Sequence, residues 1–296
     1  TFYQNGAVTV RNGGKLTQIG ATLVTDAAIR SDNGGIINIT DATWVSTNRH
    51  TTRSGGIGPF FRLETDFITA NGWRIVGERL NIVSQNLSQV SITGLVMDGS
   101  TLVFQGDGAT DTWTTLEDFG GFIGGGELLV WGPRLGIKLL NAKNGGNTPF
   151  GPVHSFNNNG SISETAATLR FVVTNPLGNP IENALVYGKA IDHVLPVAVR
   201  VPTGMDTANQ NGIYSELTNT TGETTDIEVK INYGYQDGTG TGGSGNRVLL
   251  WRSNTDNTED LVLYHYAYNN AEVNVDLLGT GLKTVPWTLF DDLSIS

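Results

Sequence analysis

A glycine-centred turn followed at once by a short β-type run recurs through the first half of this chain. Asn12-Gly13-Gly14 precedes Lys15-Leu16-Thr17-Gln18-Ile19, and Asn33-Gly34-Gly35 precedes Ile36-Ile37-Asn38-Ile39. Asn71-Gly72 precedes Trp73-Arg74-Ile75-Val76, and Asp98-Gly99 precedes Ser100-Thr101-Leu102-Val103-Phe104. Glycine and Asn supply the positive φ of tight turns, while Thr, Val and Ile suit strands. A repeated turn-plus-strand unit stacks to bury a core that no single unit buries alone.

The turn glycines Gly13, Gly34, Gly72 and Gly99 lie 21, 38 and 27 residues apart. A parallel β-helix coil takes a similar number, about 20 to 30, so the longest gap needs an insertion. The polar stretch Asn48 to Gly58 supplies one. The expected inward positions are Ile37, Ile39, Ile75, Leu80, Ile82, Val90, Ile92, Leu95, Leu102 and Phe104, which alternate with polar residues. Short antiparallel hairpins would carry a similar pattern. The long segments between turns favour the β-helix. Thr115 to Phe119 reads as one short helix or cap.

The expected fold is therefore all-β: an irregular parallel β-helix or solenoid over 1–161, then a β-sandwich with extra C-terminal strands over 162–296. The 296 residues suit about two domains. Only 16% are charged against 38% hydrophobic, with 39 glycines. A net charge of −10 and no basic stripe argue against nucleic acid and against anionic membranes. With no cysteine there are no disulfides and no thiolate chemistry. No apolar run reaches the roughly 20 residues of a membrane span. The start, Thr1 to Gly6, lacks a basic segment followed by an apolar one, so no signal peptide is expected.

From residue 168 the grammar changes. The strand Thr168 to Thr174 leads into Gly178-Asn179-Pro180-Ile181-Glu182-Asn183-Ala184-Leu185-Val186, and a T-x-x-x-G turn follows at Thr218 to Gly222. Over about 168–235 this resembles the carboxypeptidase-regulatory-like and transthyretin-like sandwiches, which are immunoglobulin-like modules. The resemblance implies a structural spacer or binding module without catalysis of its own. The long segment Asp192 to Ile213 departs from the pattern.

Candidate catalytic carboxylates, by likeness to β-helical polysaccharide-cleaving enzymes, are Asp98, Asp107, Asp111, Glu117, Asp118 and Glu127. Glycoside hydrolysis needs two at a fixed separation of about 5 to 10 Å. Turn chemistry explains Asp98, Asp107 and Asp111 as well. His50, His154, His193 and His265 fall in separate segments without metal-ligand spacing. Gly120 to Gly126 lacks the Lys of a phosphate loop, and Asp256 to Asp260 lacks an EF-hand's punctuation. The sequons at Asn38, Asn86, Asn159 and Asn219 are read as chance. No catalytic residue, metal or cofactor is expected. Tyr264, Tyr266 and Tyr268 alternate and are read as one strand face, serving as a ligand platform or subunit contact if exposed and as sandwich core if buried. Six tryptophans are spread along the chain.

A Gly/Asn/Thr-rich solenoid joined to an immunoglobulin-like module, acidic and without cysteine, resembles a bacteriophage virion protein: a tail fibre, tailspike, head fibre or capsid decoration protein. That resemblance implies a non-enzymatic component assembled in the host cytoplasm. Its partners would be other virion proteins, copies of itself as in a homotrimer, and a host-surface glycan. The alternatives are a tailspike-like depolymerase and a bacterial surface adhesin.

Overall fold

The computed structural model describes the chain apart from residues 5–7, 26–28, 33, 47–60, 78, 99–100, 107–109, 124–125, 133, 144–152, 158–161, 189–201, 206–214, 237–246, 252–257, 266–267, 277–279 and 291–296. For residues 127, 153–157, 162–163, 188, 230–236, 247–251, 258–265 and 268–276 only the backbone path is described.

The protein is nearly all β. Three parallel sheets wind around one core, each coil giving one strand to each sheet. In the first sheet Leu23, Trp44, Ile75, Met97 and Phe122 stack in register along the axis. In the second, Leu63, Ile82, Phe104 and Val130 do the same. In the third, Ile39, Ala70, Ile92, Leu116 and Leu139 form the ladder. The ten residues expected to point inward are all in this core, none more than 3% exposed. Period-two alternation chose them because one strand face is apolar and the other wet. The pairing between coils is parallel, which settles solenoid over hairpins.

Coil length is uneven. From Leu23 to Trp44 is 21 residues, from Trp44 to Ile75 is 31, and from Ile75 to Met97 is 22. The long coil is the one that contains 47–60, the expected insertion, which lies outside the described residues.

The recurring glycine phrase does not mark one place in the coil. Gly13 and Gly34 precede strands of the third sheet, whereas Gly72 precedes a strand of the first. A different feature recurs at every coil. Gly20, Asp41, Gly72, Gly94, Asp118 and Asn141 all have φ between 46° and 69°. The first five sit where the third sheet hands over to the first, and Asn141 follows the third sheet's strand Leu135–Leu140. Each donates its backbone N–H to a carbonyl of the next coil's third-sheet strand, as Gly72 does to Thr93, Gly94 to Glu117, Asp118 to Leu140 and Asn141 to Ala166. The left-handed conformation turns the corner, and Gly, Asp and Asn adopt it most readily.

Residues 115–117 belong to strand Thr112–Glu117, and the expected short helix is absent there. Thr114 and Leu116 point into the core and Asp118 turns the corner, so the segment continues the stack. Among the described residues the one helical turn is Leu87–Gln89, capped by Asn86.

Strand Ile162–Thr174 is 13 residues long and serves two structures. Its first part pairs in parallel with Leu135–Leu140 as the last rung of the third sheet. Its second part pairs with Lys283–Thr288, and Ile227–Gln236 runs antiparallel along its other side. The opposing sheet of an immunoglobulin-like sandwich consists of Ser215–Leu217, Leu185–Gly188, Thr258–His265 and Tyr268–Asp276. A second hydrophobic cluster, including Leu169, Phe171, Val173, Val186 and Val229, lies between the sheets. The two motifs of the resemblance meet here: Thr218 Oγ1 donates to the Ile181 carbonyl at 2.6 Å and accepts from the Ala184 N–H at 2.9 Å.

Candidate functional site

The outer face of the third sheet carries rows of small polar side chains. Thr17, Asn38, Thr69 and Ser91 align across successive strands, as do Thr40, Asn71, Thr93 and Glu117. Adjacent members are about 4.8 Å apart, the spacing of paired strands. Strand alternation puts Trp113, Thr115 and Glu117 on the same outward face. Together with Ser88, Ser91 and Thr93 they line a groove of about 340 Å³.

A piece of the C-terminal half lies beside Trp113. The turn Pro202–Met205 crosses the last coils, with Pro202 and Met205 buried. Asp111 accepts hydrogen bonds from the Thr203 N–H at 3.4 Å and from Thr203 Oγ1 at 2.8 Å. Gly136 makes room for it, since a Cβ there would stand 2.5 Å from Met205 Sδ. Gly204 packs beside Trp113, where a Cβ would sit 3.7 Å from Nε1.

A second concavity, of about 290 Å³, is lined by Glu64, Asp66, Ser84 and Gln85 among others. Asp66 Oδ1 is already engaged, accepting from Ser84 Oγ at 2.7 Å, Gln85 N at 2.9 Å and Asn86 N at 3.0 Å. It shapes a corner.

The candidate carboxylates differ in their partners. Asp98 pairs with Arg74 at 2.7 Å. Asp111 holds Thr203 and lies 3.9 Å from Arg134 Nε. Asp118 accepts from the Gly281 N–H at 2.7 Å. Glu117 lines the Trp113 groove as the single carboxylate among its described lining residues. Glu127 pairs with Thr101 and Val153 by backbone register, and Asp107 lies outside the described residues.

Among the described residues no three His, Asp or Glu side chains converge as a metal site. His154 and His265 lie on separate strands, and His50 and His193 fall outside the described residues. Of the Asp256 to Asp260 segment only the strand backbone from Thr258 onward is described.

The three tyrosines do not share one strand. Tyr264 is in Thr258–His265, and Tyr268 opens the antiparallel neighbour Tyr268–Asp276, opposite His265. Tyr266 lies outside the described residues. The alternation Tyr-His-Tyr-Ala-Tyr continues across a reversal that no Gly or Pro announces. Of the tryptophans, Trp44 and Trp73 are solenoid core, packed edge to face with centroids 4.8 Å apart. Trp113 is the one the sequence did not distinguish. Its neighbours Thr112 and Thr114 are both buried threonines, so the pattern gave no sign of which side was wet.

No protein-family model matches this chain, and no curated protein matches it. A solved structure of a mutant of Acinetobacter radioresistens catechol 1,2-dioxygenase is similar at 11% identity, covering 44% of this chain and 53% of that one, with a TM-score of 0.26. The 3-chlorocatechol 1,2-dioxygenase of Rhodococcus opacus 1CP gives 12% identity, 43% and 60% coverage, and a TM-score of 0.26. Likeness this slight says nothing about chemistry.

Proposed function

We propose that this chain is a non-enzymatic virion structural protein, of the tail fibre, head fibre or capsid decoration kind, that assembles with other subunits and attaches to a host surface. The observation that carries this is a stack of coils joined to an immunoglobulin-like sandwich through one shared strand, Ile162–Thr174, a scaffold and a contact module in one chain. On the rung formed by Phe2–Gln4, Val8–Val10 and Lys15–Ile19, the side chains of Phe2, Tyr3 and Ile19 are 66%, 79% and 71% exposed, large apolar groups of the kind that subunit contacts cover. The carboxylates Asp66, Asp98, Asp111 and Asp118 support the same reading, because each is committed to holding the backbone or an arginine.

The test is location. Antibody raised against the purified chain should label intact phage-like particles from the source culture, and cross-linking should join the first rung to a neighbouring subunit. Recovery of the chain only as a free monomer, never in particles, would overturn the assignment. The second reading, a polysaccharide depolymerase, draws on the Trp113 groove. It requires two carboxyl groups flanking a glycosidic bond, and release of reducing ends from a glycan by the purified chain would favour it.

A further inference from the structure

We infer that the groove at Trp113 is a carbohydrate-binding site for a neutral or amino-substituted glycan lying along the solenoid axis. The inference rests on the attachment half of the proposed function and is independent of the assembly half.

Three observations carry it. The first is the state of the polar atoms. Within the protein, the described structure gives no hydrogen bond to the indole N–H of Trp113, to the hydroxyls of Ser91, Thr93 and Thr115, or to the carboxylate of Glu117. Of the groove's other hydroxyls Ser88 Oγ is engaged, donating to Asn86 Oδ1, and elsewhere on the surface such groups are used: Asn219 Oδ1 accepts from the Thr221 and Glu223 N–H groups, and Asn175 Oδ1 from those of Leu177 and Asn179. The groove thus offers donors, acceptors and a part-exposed aromatic ring on one face. A sugar ring presents the complement, an apolar face for the indole and equatorial hydroxyls for its flanks.

The second is what the surroundings exclude. Strands Val90–Thr93 and Thr112–Glu117 are interior members of the third sheet, paired on both sides, so a peptide cannot add as an extra strand there. The nearest cation on the face, Lys138, is 7% exposed and held by Glu164 and Glu228. With Glu117 in the groove and a chain charge of −10, a polyanion such as nucleic acid is repelled. Charge favours a neutral ligand, or an amino sugar paired with Glu117.

The third is the build of the site. Trp113 is braced by Gly204 of the Pro202–Met205 turn, which Asp111 pins through Thr203. The rows of Thr, Asn and Ser continue from the groove across earlier strands in register, extending it into a track. Pre-organised aromatic rings lose little entropy on binding.

The experiment uses the full chain on an array of neutral, amino-sugar and acidic oligosaccharides, with heparin and a DNA oligonucleotide as polyanion controls. Hits are followed by titration calorimetry. Binding is expected to a neutral or amino-sugar member and not to the polyanions. Trp113→Ala should weaken it about tenfold or more, equivalent to at least ~1.4 kcal/mol. Trp113→Phe should recover part of that loss, and Thr203→Ala should weaken binding less than Trp113→Ala. Circular dichroism and melting temperature confirm that each variant folds. No hit among the neutral and amino sugars, affinity unchanged in Trp113→Ala, or a Trp113-dependent dimer in light scattering would each overturn the site. A chain located in particles that binds no glycan would sink the groove while leaving the assembly reading intact.

Discussion

Asp118 accepts a hydrogen bond from the Gly281 backbone N–H at 2.7 Å, although 163 residues separate them. Asp118 is also a left-handed corner of the solenoid, with φ 51°. One side chain therefore turns a coil and clasps the loop before the last strand. The two roles separate by substitution. Asp118→Asn keeps both the conformational tolerance and an acceptor and should melt like the parent. Asp118→Gly keeps the corner and loses the clasp, costing about 1 kcal/mol. Asp118→Ala loses both and should cost about 1 kcal/mol more. Equal melting temperatures for the Gly and Ala variants would show that the corner carries no strain.

Glycines of similar φ differ in what a methyl group would meet. Gly178 at φ 79° faces open space, whereas a Cβ on Gly222 at φ 77° would stand 2.4 Å from the Val173 carbonyl oxygen. Val173 also donates its N–H to Gly222 O at 2.8 Å. Gly178→Ala should cost about 1 kcal/mol, from conformation alone. Gly222→Ala should cost distinctly more, since backbone must move, and chemical denaturation of the two variants gives the comparison.

Trp44 and Trp73 touch in the same core, but only one has its indole N–H satisfied. Trp44 Nε1 donates to Gln18 Oε1 at 2.7 Å, while Trp73 Nε1 is buried without an acceptor among the described residues. Both phenylalanine replacements lose volume. Trp44→Phe additionally breaks a hydrogen bond, and Trp73→Phe removes an unmet donor worth about 1–3 kcal/mol. Trp44→Phe should therefore be the more destabilising by more than about 1 kcal/mol, read from denaturant midpoints.

Lys138 lies beneath the junction of the two halves. Its Nζ is 3.9 Å from Glu164 Oε1 and contacts Glu228 Oε1, with Glu164 fully buried. Lys138→Met would strand negative charge and should cost about 3–5 kcal/mol. Adding Glu164→Gln to that variant should restore a large part of the loss. A double variant no better than the single would refute the coupling.

The solenoid was legible because an inward side chain every second residue is a local property of the strand. The ladder Ile39, Ala70, Ile92, Leu116 could be anticipated at Ile39 and Ile92. The corners were not legible as a repeat. Gly20, Asp41, Gly72, Gly94, Asp118 and Asn141 share a backbone conformation and no residue type, and unequal coils hide their period. The Asn-Gly phrase was conspicuous instead, yet it falls at different corners. Tyr264 and Tyr268 fall on two antiparallel strands that set His265 opposite Tyr268, a pairing that the alternation of the tyrosines does not reveal. The Trp113 groove depends on which side of Thr112–Glu117 faces water, and that is decided by register with Val90–Thr93, a contact with a neighbouring coil.

Strand Ile162–Thr174 is where the third sheet changes polarity. It pairs in parallel with the coil before it and antiparallel with Ile227–Gln236 on its far edge. On the third sheet, coil-upon-coil addition stops there, because the next edge runs the opposite way and belongs to the sandwich. Within that sheet the strand polarity reverses at a single strand, so at that end of the described stack no parallel edge of the third sheet is left for another coil to copy.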